Sequence, residues 1–154
     1  MENKNLIIRK AIEKDINLIY ELIKGLAIYE KRPHDMTATI DMLKESFFNK
    51  KVATVLILEN DINTPIGYAL YYPTFSSFSS KTKIYLEDLY IKPEYRNKGY
   101  GKKPFFSILD ILKEEGYSTL EWSCLDWNKP SIEFYKNINA TLETGRVHFE
   151  YKIH

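Results

Sequence analysis

The chain has 154 residues, with 22 Lys or Arg against 21 Asp or Glu, so its formal net charge is +1. That balance gives no support to nucleic-acid binding or to a polybasic membrane surface, because both need a clear basic excess. Hydrophobic residues make up 44% of the chain and aromatic residues 14%, which excludes a disordered chain and suffices for one sizeable core. We therefore expect a single domain over residues 1–154.

Cysteine content and hydropathy indicate the compartment. The one cysteine, Cys124, cannot form an intramolecular disulfide, which favours a reducing environment. No apolar run approaches the ~20 residues that a membrane-spanning helix needs. The first residues, Met1 to Asn5, are polar and lack the layout of a signal peptide. These features predict a soluble, cytoplasmic protein whose partners include neither nucleic acid nor a membrane.

The first half of the chain is predicted to contain two helices and a hairpin. A short apolar run predicts a strand at 6–9, and apolar residues at helical spacing predict a helix at 13–28. After a charged loop at 29–34 we expect a second helix that Thr37 caps. Strands at 52–58 and 66–72 follow, and the Ser-rich segment 75–80 is expected to be a mobile surface loop.

The second half is predicted to alternate strands and helices. A strand at 84–91 leads through a glycine loop to a helix at 102–115, and a strand at 119–125 leads to a helix that begins at Pro130. Apolar residues alternate again near Leu142 and from Val147 to Ile153, which predicts a closing hairpin. This order indicates an α/β (α+β) fold, with a mixed, mostly antiparallel twisted sheet and helices on both faces.

The glycine loop from Arg96 to Lys102 lies between a predicted strand and a predicted helix. Its glycines let backbone N–H groups approach a ligand, and the helix N-terminus adds partial positive charge, a combination that binds anions. Pro104 stands where a dinucleotide fingerprint has its third glycine, and Lys103 stands where a Walker loop has Ser or Thr. On this segment alone, an anion site and an ordinary turn before a helix are equally good interpretations.

Two motifs in the chain resemble the signatures of the GNAT superfamily of N-acetyltransferases. Arg96-x-x-Gly99-x-Gly101 resembles the acetyl-CoA pyrophosphate loop of that superfamily, and Asn128-x-x-Ser131-x-x-Phe134-Tyr135 resembles its second signature. Four segments are similar to the diamine (spermidine/spermine) N-acetyltransferase branch: 26–31, 85–91, 93–96 and 121–130. The chain departs from the usual pattern at Asn97, at Pro104 and at Ile138-Asn139.

The resemblance implies a GNAT fold and an acetyl transfer from acetyl-CoA, without a metal, to a primary amine of a small polyamine such as spermidine, spermine or putrescine. It implies direct attack in a ternary complex, and a homodimer. Glu87 would remove the proton of the substrate ammonium, and Tyr135 would protonate the CoA sulfur. The reaction needs such groups because an amine of pKa near ~10.4 is mostly protonated at neutral pH and a thiolate leaves more readily when it gains a proton.

The resemblance also assigns binding residues. The cofactor would contact a strand, the glycine loop and a helix start: Leu89, Tyr90, Ile91, Arg96, Asn97, Lys98, Gly99, Tyr100, Gly101, Lys102, Asn128, Lys129, Pro130, Ser131 and Tyr135. The amine would contact Tyr29, Glu30, Glu87, Glu121, Trp122 and Ser123.

Each of these roles has a structural alternative. Glu87 could pair with a lysine on an exposed strand face, since side-chain alternation would send only one of Glu87 and Asp88 toward the cleft. Tyr135 could be a core aromatic residue beside Phe134, and Asn128 could be a helix N-cap.

Other functions compete with polyamine acetylation. The substrate could be thialysine or another small amino-acid-like amine, whose carboxylate Lys31, Arg32 or Lys81 could bind. The domain could instead be a non-catalytic acyl-CoA sensor, which would lack the acid and the base. A covalent role for Cys124 is disfavoured because no histidine is near it in sequence, and the three histidines lack the spacing of metal ligands.

Overall fold

The computed structural model describes residues 4–154, so the first three residues of the polar start at Met1 to Asn5 lie outside the described part. The chain divides into two compact units, Met1–Trp122 and Ser123–His154. The expectation of one domain over the whole chain stays a prediction. No helix within residues 4–154 is both long and apolar enough to span a bilayer.

The first unit is built on a five-stranded sheet in the order β1-β2-β3-β4-β5. Strands β1 to β4 pair antiparallel, and β5 pairs with β4 in parallel, which confirms the predicted mixed sheet. In chain order the elements are β1 (Ile7–Lys10), α1 (Ile16–Tyr29), α2 (Ile40–Lys44), β2 (Thr54–Glu59), β3 (Pro65–Ser76), β4 (Lys81–Ile91), α3 (Lys103–Glu114) and β5 (Leu120–Trp122).

Helices cover both faces of the sheet, as predicted. Ile108 of α3 belongs to one buried cluster and Ile19 of α1 to the other, and both side chains are fully buried. Because side chains alternate along a strand, Leu56 and the next residue, Ile57, contribute to opposite clusters. We call the two sides the α1 face and the α3 face.

A charged network attaches the start of α1 to the sheet. The Arg9 guanidinium donates to both carboxylate oxygens of Asp15, at 2.7 and 2.9 Å, and to Glu59 at 2.9 Å. These bonds favour the ionised acid, so the hydrogen bond from Arg9 lowers the pKa of Asp15. These bonds attach the start of α1 to the sheet, and Tyr29 is the last residue of that helix.

Several predicted boundaries are wrong. The Ser-rich segment is not a loop over its whole length, because β3 continues to Ser76 and β4 starts at Lys81, leaving a tight turn at 77–80. Cross-strand pairing extends both strands beyond what local composition indicates. Thr39 rather than Thr37 caps α2, since its hydroxyl accepts the N–H of Met42 at 3.3 Å. Strand β5 is three residues long rather than seven.

The second unit contains α4 (Lys129–Asn137), and the predicted closing hairpin is absent from it. No residue from 138 to 154 is in a helix or a strand. The alternating side chains of Val147, Phe149, Tyr151 and Ile153 are 78–94% exposed. An alternating pattern becomes a strand only when a neighbouring strand pairs with its peptide groups, and this segment has no such neighbour within residues 4–154.

Candidate active site

A β-bulge on β4 sets the geometry of the candidate site. Strands β3 and β4 pair Leu70 with Asp88 but Tyr71 with Leu86, so Glu87 has no residue opposite it. One extra residue in a strand disrupts the ladder locally and shifts the alternation of side chains beyond it. Glu87 and Asp88, although adjacent, can therefore point to the same face of the sheet.

Two tyrosine hydroxyls of β3 show that both carboxylates lie on the α1 face. The Tyr68 hydroxyl donates to Oδ2 of Asp88 at 2.9 Å, and the Tyr72 hydroxyl donates to Oε2 of Glu87 at 3.3 Å. Tyr68 belongs to the buried cluster of the α1 face, and Tyr72 packs against it. The expectation that alternation would separate Glu87 from Asp88 is wrong, and the bulge is the reason.

The two carboxylates differ in their surroundings. Asp88 is half-buried, and this burial raises its pKa to about 6, against the opposing effect of the Tyr68 hydrogen bond. The negative charges of Glu87 and Glu30 also favour the protonated form of Asp88. Glu87 itself is exposed. No ion pair among residues 4–154 neutralises any of these three carboxylates, so the α1 face here attracts a cation.

Half of the outer edge of β4 is left uncovered by β5. The two strands pair only from Ile84 with Leu120 to Leu86 with Trp122. Within residues 4–154, no strand pairs with that edge of β4 beyond Leu86. Backbone N–H and C=O groups need partners, and an extended ligand can supply them at such an edge. The predicted cofactor residues Leu89, Tyr90 and Ile91 lie here.

The loop after β4 has the backbone of an anion-binding turn. Asn97, Gly99 and Gly101 have φ angles of 55°, 93° and 52°. Asn adopts this left-handed geometry more readily than most residues, so Asn97 is compatible with the turn. Helix α3 has no side-chain N-cap and no acidic residue in its first turn, so its partial positive charge is suited to an anion. The N–H of Lys103 already donates to the carbonyl oxygen of Tyr100 at 3.0 Å, and Pro104 has no N–H, so the loop before the helix must supply most of the donors. The ring of Tyr100 is buried in the core of the α3 face.

Arg96 connects this loop to the end of α1. Its guanidinium carbon lies 3.9 Å from the ring centroid of Tyr29 and 5.4 Å from that of Tyr90. Its Nε donates to the carbonyl oxygen of Ile91 at 2.8 Å. Cation–π contacts of this kind stabilise a fixed geometry. The structure thus brings the predicted cofactor loop next to Tyr29. The residue that follows Tyr29 is Glu30, whose negative charge helps to raise the pKa of Asp88.

Two predicted amine-binding residues of the first unit have other contacts. Glu121 forms an ion pair with Lys83 at 2.7 Å. The indole of Trp122 packs edge-to-face on Phe105 at 5.1 Å and contacts the cluster of the α3 face. Their proposed contact with the amine stays a prediction.

The remaining predicted residues lie in the second unit: Ser123, Asn128, Lys129, Pro130, Ser131 and Tyr135. Asn128 is the N-cap of α4, since its Oδ1 accepts the N–H of Ser131 at 3.4 Å. Pro130 lies within the first turn, where its missing N–H costs no helical hydrogen bond.

Tyr135 and Cys124 of this unit are both in their protonated forms at neutral pH. Burial of the half-buried Tyr135 raises its pKa, and its ring packs on Phe134 at 5.3 Å. A neutral phenol can donate a proton, as the predicted role requires. Cys124 is exposed rather than part of an apolar strand, and desolvation raises the pKa of its thiol. A raised pKa disfavours a nucleophilic thiolate.

Sequence reasoning missed the roles of Tyr68 and Tyr72. The available signal is that β3 places two tyrosines, Tyr68 and Tyr72, on the same face of the strand. Buried tyrosine hydroxyls normally have a hydrogen-bond partner, so such a pair indicates polar groups on the neighbouring strand. Within residues 4–154, no group of three His, Cys, Asp or Glu side chains is placed to hold a metal ion.

Comparison with known proteins shows the family of this chain. The model of the acetyltransferase (GNAT) family matches residues 16–139. The chain is 35% identical over 143 residues to thialysine N-epsilon-acetyltransferase of Bos taurus, with 88% of this chain and 84% of that protein covered. It is 26% identical to L-ornithine N5-acetyltransferase NATA1 of Arabidopsis thaliana, covering 86% of this chain and 78% of that protein.

A solved structure shares the fold. An aminoglycoside acetyltransferase from an uncultured soil metagenomic sample, in complex with trehalose, superposes with a TM-score of 0.77 at 21% identity over 97% of each chain. The fold, the bulged strand and the glycine loop define an acyltransferase of the GNAT type. The chain belongs to the acetyltransferase (GNAT) family and is an N-acetyltransferase, as the sequence predicts. Members of this family use acetyl-CoA as co-substrate.

Proposed function

We propose that the protein transfers the acetyl group of acetyl-CoA to a primary amine of a small cationic substrate, by direct attack in a ternary complex. The observation that supports this proposal is the group of carboxylates Glu30, Glu87 and Asp88, which form no ion pair within residues 4–154 and of which the last two lie where β4 has no partner strand on its outer edge. An ammonium group is attracted to these carboxylates, and the adjacent edge suits an extended thioester.

Acetyl-CoA binds in this proposal through backbone groups. The N–H groups from Asn97 to Lys102 hold the diphosphate, and the start of α3 adds its partial positive charge. Peptide groups of β4 pair with the pantetheine amides, and the N–H of Leu89 polarises the thioester carbonyl. The resemblance assigns further cofactor contacts to residues 128–131 at the start of α4. The functional assembly is a cytoplasmic homodimer.

Two proton transfers complete the reaction. A carboxylate of the bulge accepts the proton of the substrate ammonium. The resemblance assigns this role to Glu87, and Asp88 is the second candidate on the same face. Tyr135 protonates the departing thiolate, for which its raised pKa keeps a proton available. Positioned acids and bases of this kind contribute roughly 10²–10⁴-fold to the rate.

For the substrate class we favour a small amino-acid-like diamine over a polyamine. The names of the relatives, thialysine and L-ornithine acetyltransferases, support this choice. Lys31, Arg32 and Lys81 are the cations that could bind the substrate carboxylate, and Arg32 also pairs with Asp35 at 2.6 Å. A polyamine is the second candidate, because the unneutralised carboxylates also suit a polycation.

A substrate panel tests the proposal. The protein is incubated with acetyl-CoA and thialysine, lysine, spermidine or putrescine, and free thiol is measured. We expect thiol release with at least one amine and the highest kcat/KM with thialysine. No release with any amine, together with calorimetric binding of acetyl-CoA, would show a sensor instead of an enzyme.

Two glycine variants test the cofactor loop. Gly99 and Gly116 both have a φ of 93°, so alanine is strained to a similar degree at each. Gly99→Ala is expected to weaken acetyl-CoA binding in calorimetry, whereas Gly116→Ala, outside the loop, is expected to leave it unchanged. Equal losses in both variants would show that strain rather than loop contact decides binding.

A further inference from the structure

The two carboxylates at the bulge are not equivalent as proton acceptors. Asp88 is half-buried and accepts a 2.9 Å hydrogen bond from the fully buried Tyr68, whereas Glu87 is exposed and accepts a longer bond of 3.3 Å from Tyr72. Among residues 4–154, Oδ1 of Asp88 accepts no protein hydrogen bond and is open to a ligand. Asp88 is therefore the more rigidly oriented of the two acids and keeps one oxygen available.

We infer that Asp88, oriented by the Tyr68 hydroxyl, accepts the proton of the substrate amine, and that Glu87 attracts the substrate charge without taking its proton. This inference rests on the proposed function and assigns one step of it. Tyr68 is a positioning residue, since it acts on the substrate through Asp88.

The charges around Asp88 support this division of roles. Glu87 on β4, Glu30 after α1 and Tyr68 on β3 act on it, and the cation Arg96 lies 5.4 Å from the ring centroid of Tyr90. Burial and the two acids bring the pKa of Asp88 to about 6, near the pH at which a general base works best. Burial and the nearby Asp88 charge also raise the pKa of Tyr68, so its hydroxyl remains a donor throughout.

The step balances as follows. The Asp88 carboxylate takes one proton from the R–NH₃⁺ group, and the freed nitrogen lone pair attacks the thioester carbonyl carbon. The C–S bond breaks with its electron pair on sulfur, which gains a proton, while the nitrogen loses its second proton to form the amide. Asp88 then returns its proton to solvent. The products are the N-acetyl amine, CoA thiol and one proton.

The pH dependence of kcat/KM, measured with acetyl-CoA and either thialysine or spermidine, tests the assignment. We expect the wild-type value to fall about tenfold per pH unit below about pH 6. Asp88→Asn should lower kcat/KM by about 100-fold or more and remove this acidic limb. Glu87→Gln should raise KM, and its kcat/KM should still fall below about pH 6. A limb that persists in Asp88→Asn and disappears in Glu87→Gln would overturn the inference.

Two matched tyrosine variants test the positioning role. The Tyr68 hydrogen bond lowers the pKa of Asp88, so Tyr68→Phe is expected to move the acidic limb to higher pH. Tyr72→Phe removes the same atom from the same face of the same strand and should leave the limb in place. Equal shifts, or none, would contradict the role of Tyr68. Circular dichroism establishes that both variants are folded.

A titration that needs no turnover separates this inference from the proposed function. Carboxyl carbon NMR of the wild-type protein should show Asp88 titrating near pH 6, and Tyr68→Phe should raise that midpoint. If Asp88 titrates near 4, the inference fails even when the enzyme is active. If Asp88 titrates near 6 but no amine releases thiol, the proposed function fails and the assigned step fails with it.

Discussion

An acid whose pKa is raised by folding destabilises the folded protein once it ionises, and Asp88 offers a measurable case. Its ordinary pKa of 3.8 rises to about 6 in the fold, mainly through burial. Between these values the folded state binds more protons than the unfolded state, so the free energy of unfolding falls as the pH increases. Asp88→Asn removes this titration, and the variant should gain stability relative to wild type as the pH rises through this range.

The magnitude follows from the two pKa values. The full shift corresponds to about 3 kcal/mol, at about 1.4 kcal/mol per unit. Between about pH 5 and about pH 7.5 the contribution of Asp88 to wild-type stability should fall by about 1.4 kcal/mol, since at pH 5 the folded state still holds most of the proton. The difference in unfolding free energy between Asp88→Asn and wild type should therefore change by that amount in favour of the variant.

Urea unfolding of both proteins at the two pH values measures this change. Glu87→Gln is the matched control: Glu87 is exposed, so its difference from wild type should stay within about 0.5 kcal/mol at both pH values. An Asp88→Asn difference that does not vary with pH would refute the reasoning, because it would show that Asp88 ionises in the fold as easily as in the unfolded chain.

Three further variants test the fold and the site. Gly67→Ala places a Cβ against the backbone oxygen of Tyr90, which cannot move without the strand, so urea unfolding should show a loss of about 3 kcal/mol. Arg9→Met leaves the two carboxylates that it bridges without their cation and should cost about 3 kcal/mol, measured in the same way. Tyr135→Phe should lower kcat much more than it lowers acetyl-CoA affinity in calorimetry; equal losses would indicate a packing role.

Local sequence patterns predict those parts of the fold that are determined locally. Helices α1 and α3 follow from apolar residues at helical spacing, and the anion loop follows from two glycines before a helix. The bulge at Glu87 could not be predicted in this way, because it exists only as a mismatch between β4 and β3. The same holds for the end of β5 at Trp122 and for the missing hairpin, since both depend on which strands find a partner.

In the candidate site too, some features follow from the local sequence and others depend on contacts between strands. The resemblance identified Glu87 and the loop, whereas the pair of Tyr68 and Asp88 depends on a contact between residues twenty positions apart on neighbouring strands. Strict alternation, applied without knowledge of the bulge, would place Glu87 and Asp88 on opposite faces of the sheet. Prediction from sequence therefore names candidate groups but does not show which of two adjacent carboxylates is desolvated.

A double variant separates the chemical role of this pair from any structural role. A buried hydroxyl and a half-buried carboxylate that serve only packing can be replaced together by apolar groups at little cost, because neither partner is left unsatisfied. Tyr68→Phe combined with Asp88→Leu should therefore be at least as stable as wild type at neutral pH in urea unfolding. It should nevertheless lose acetyl transfer by about 100-fold or more. If the double variant kept its activity, Asp88 could not be the proton acceptor; if it lost stability as well, the pair would be part of the structural core.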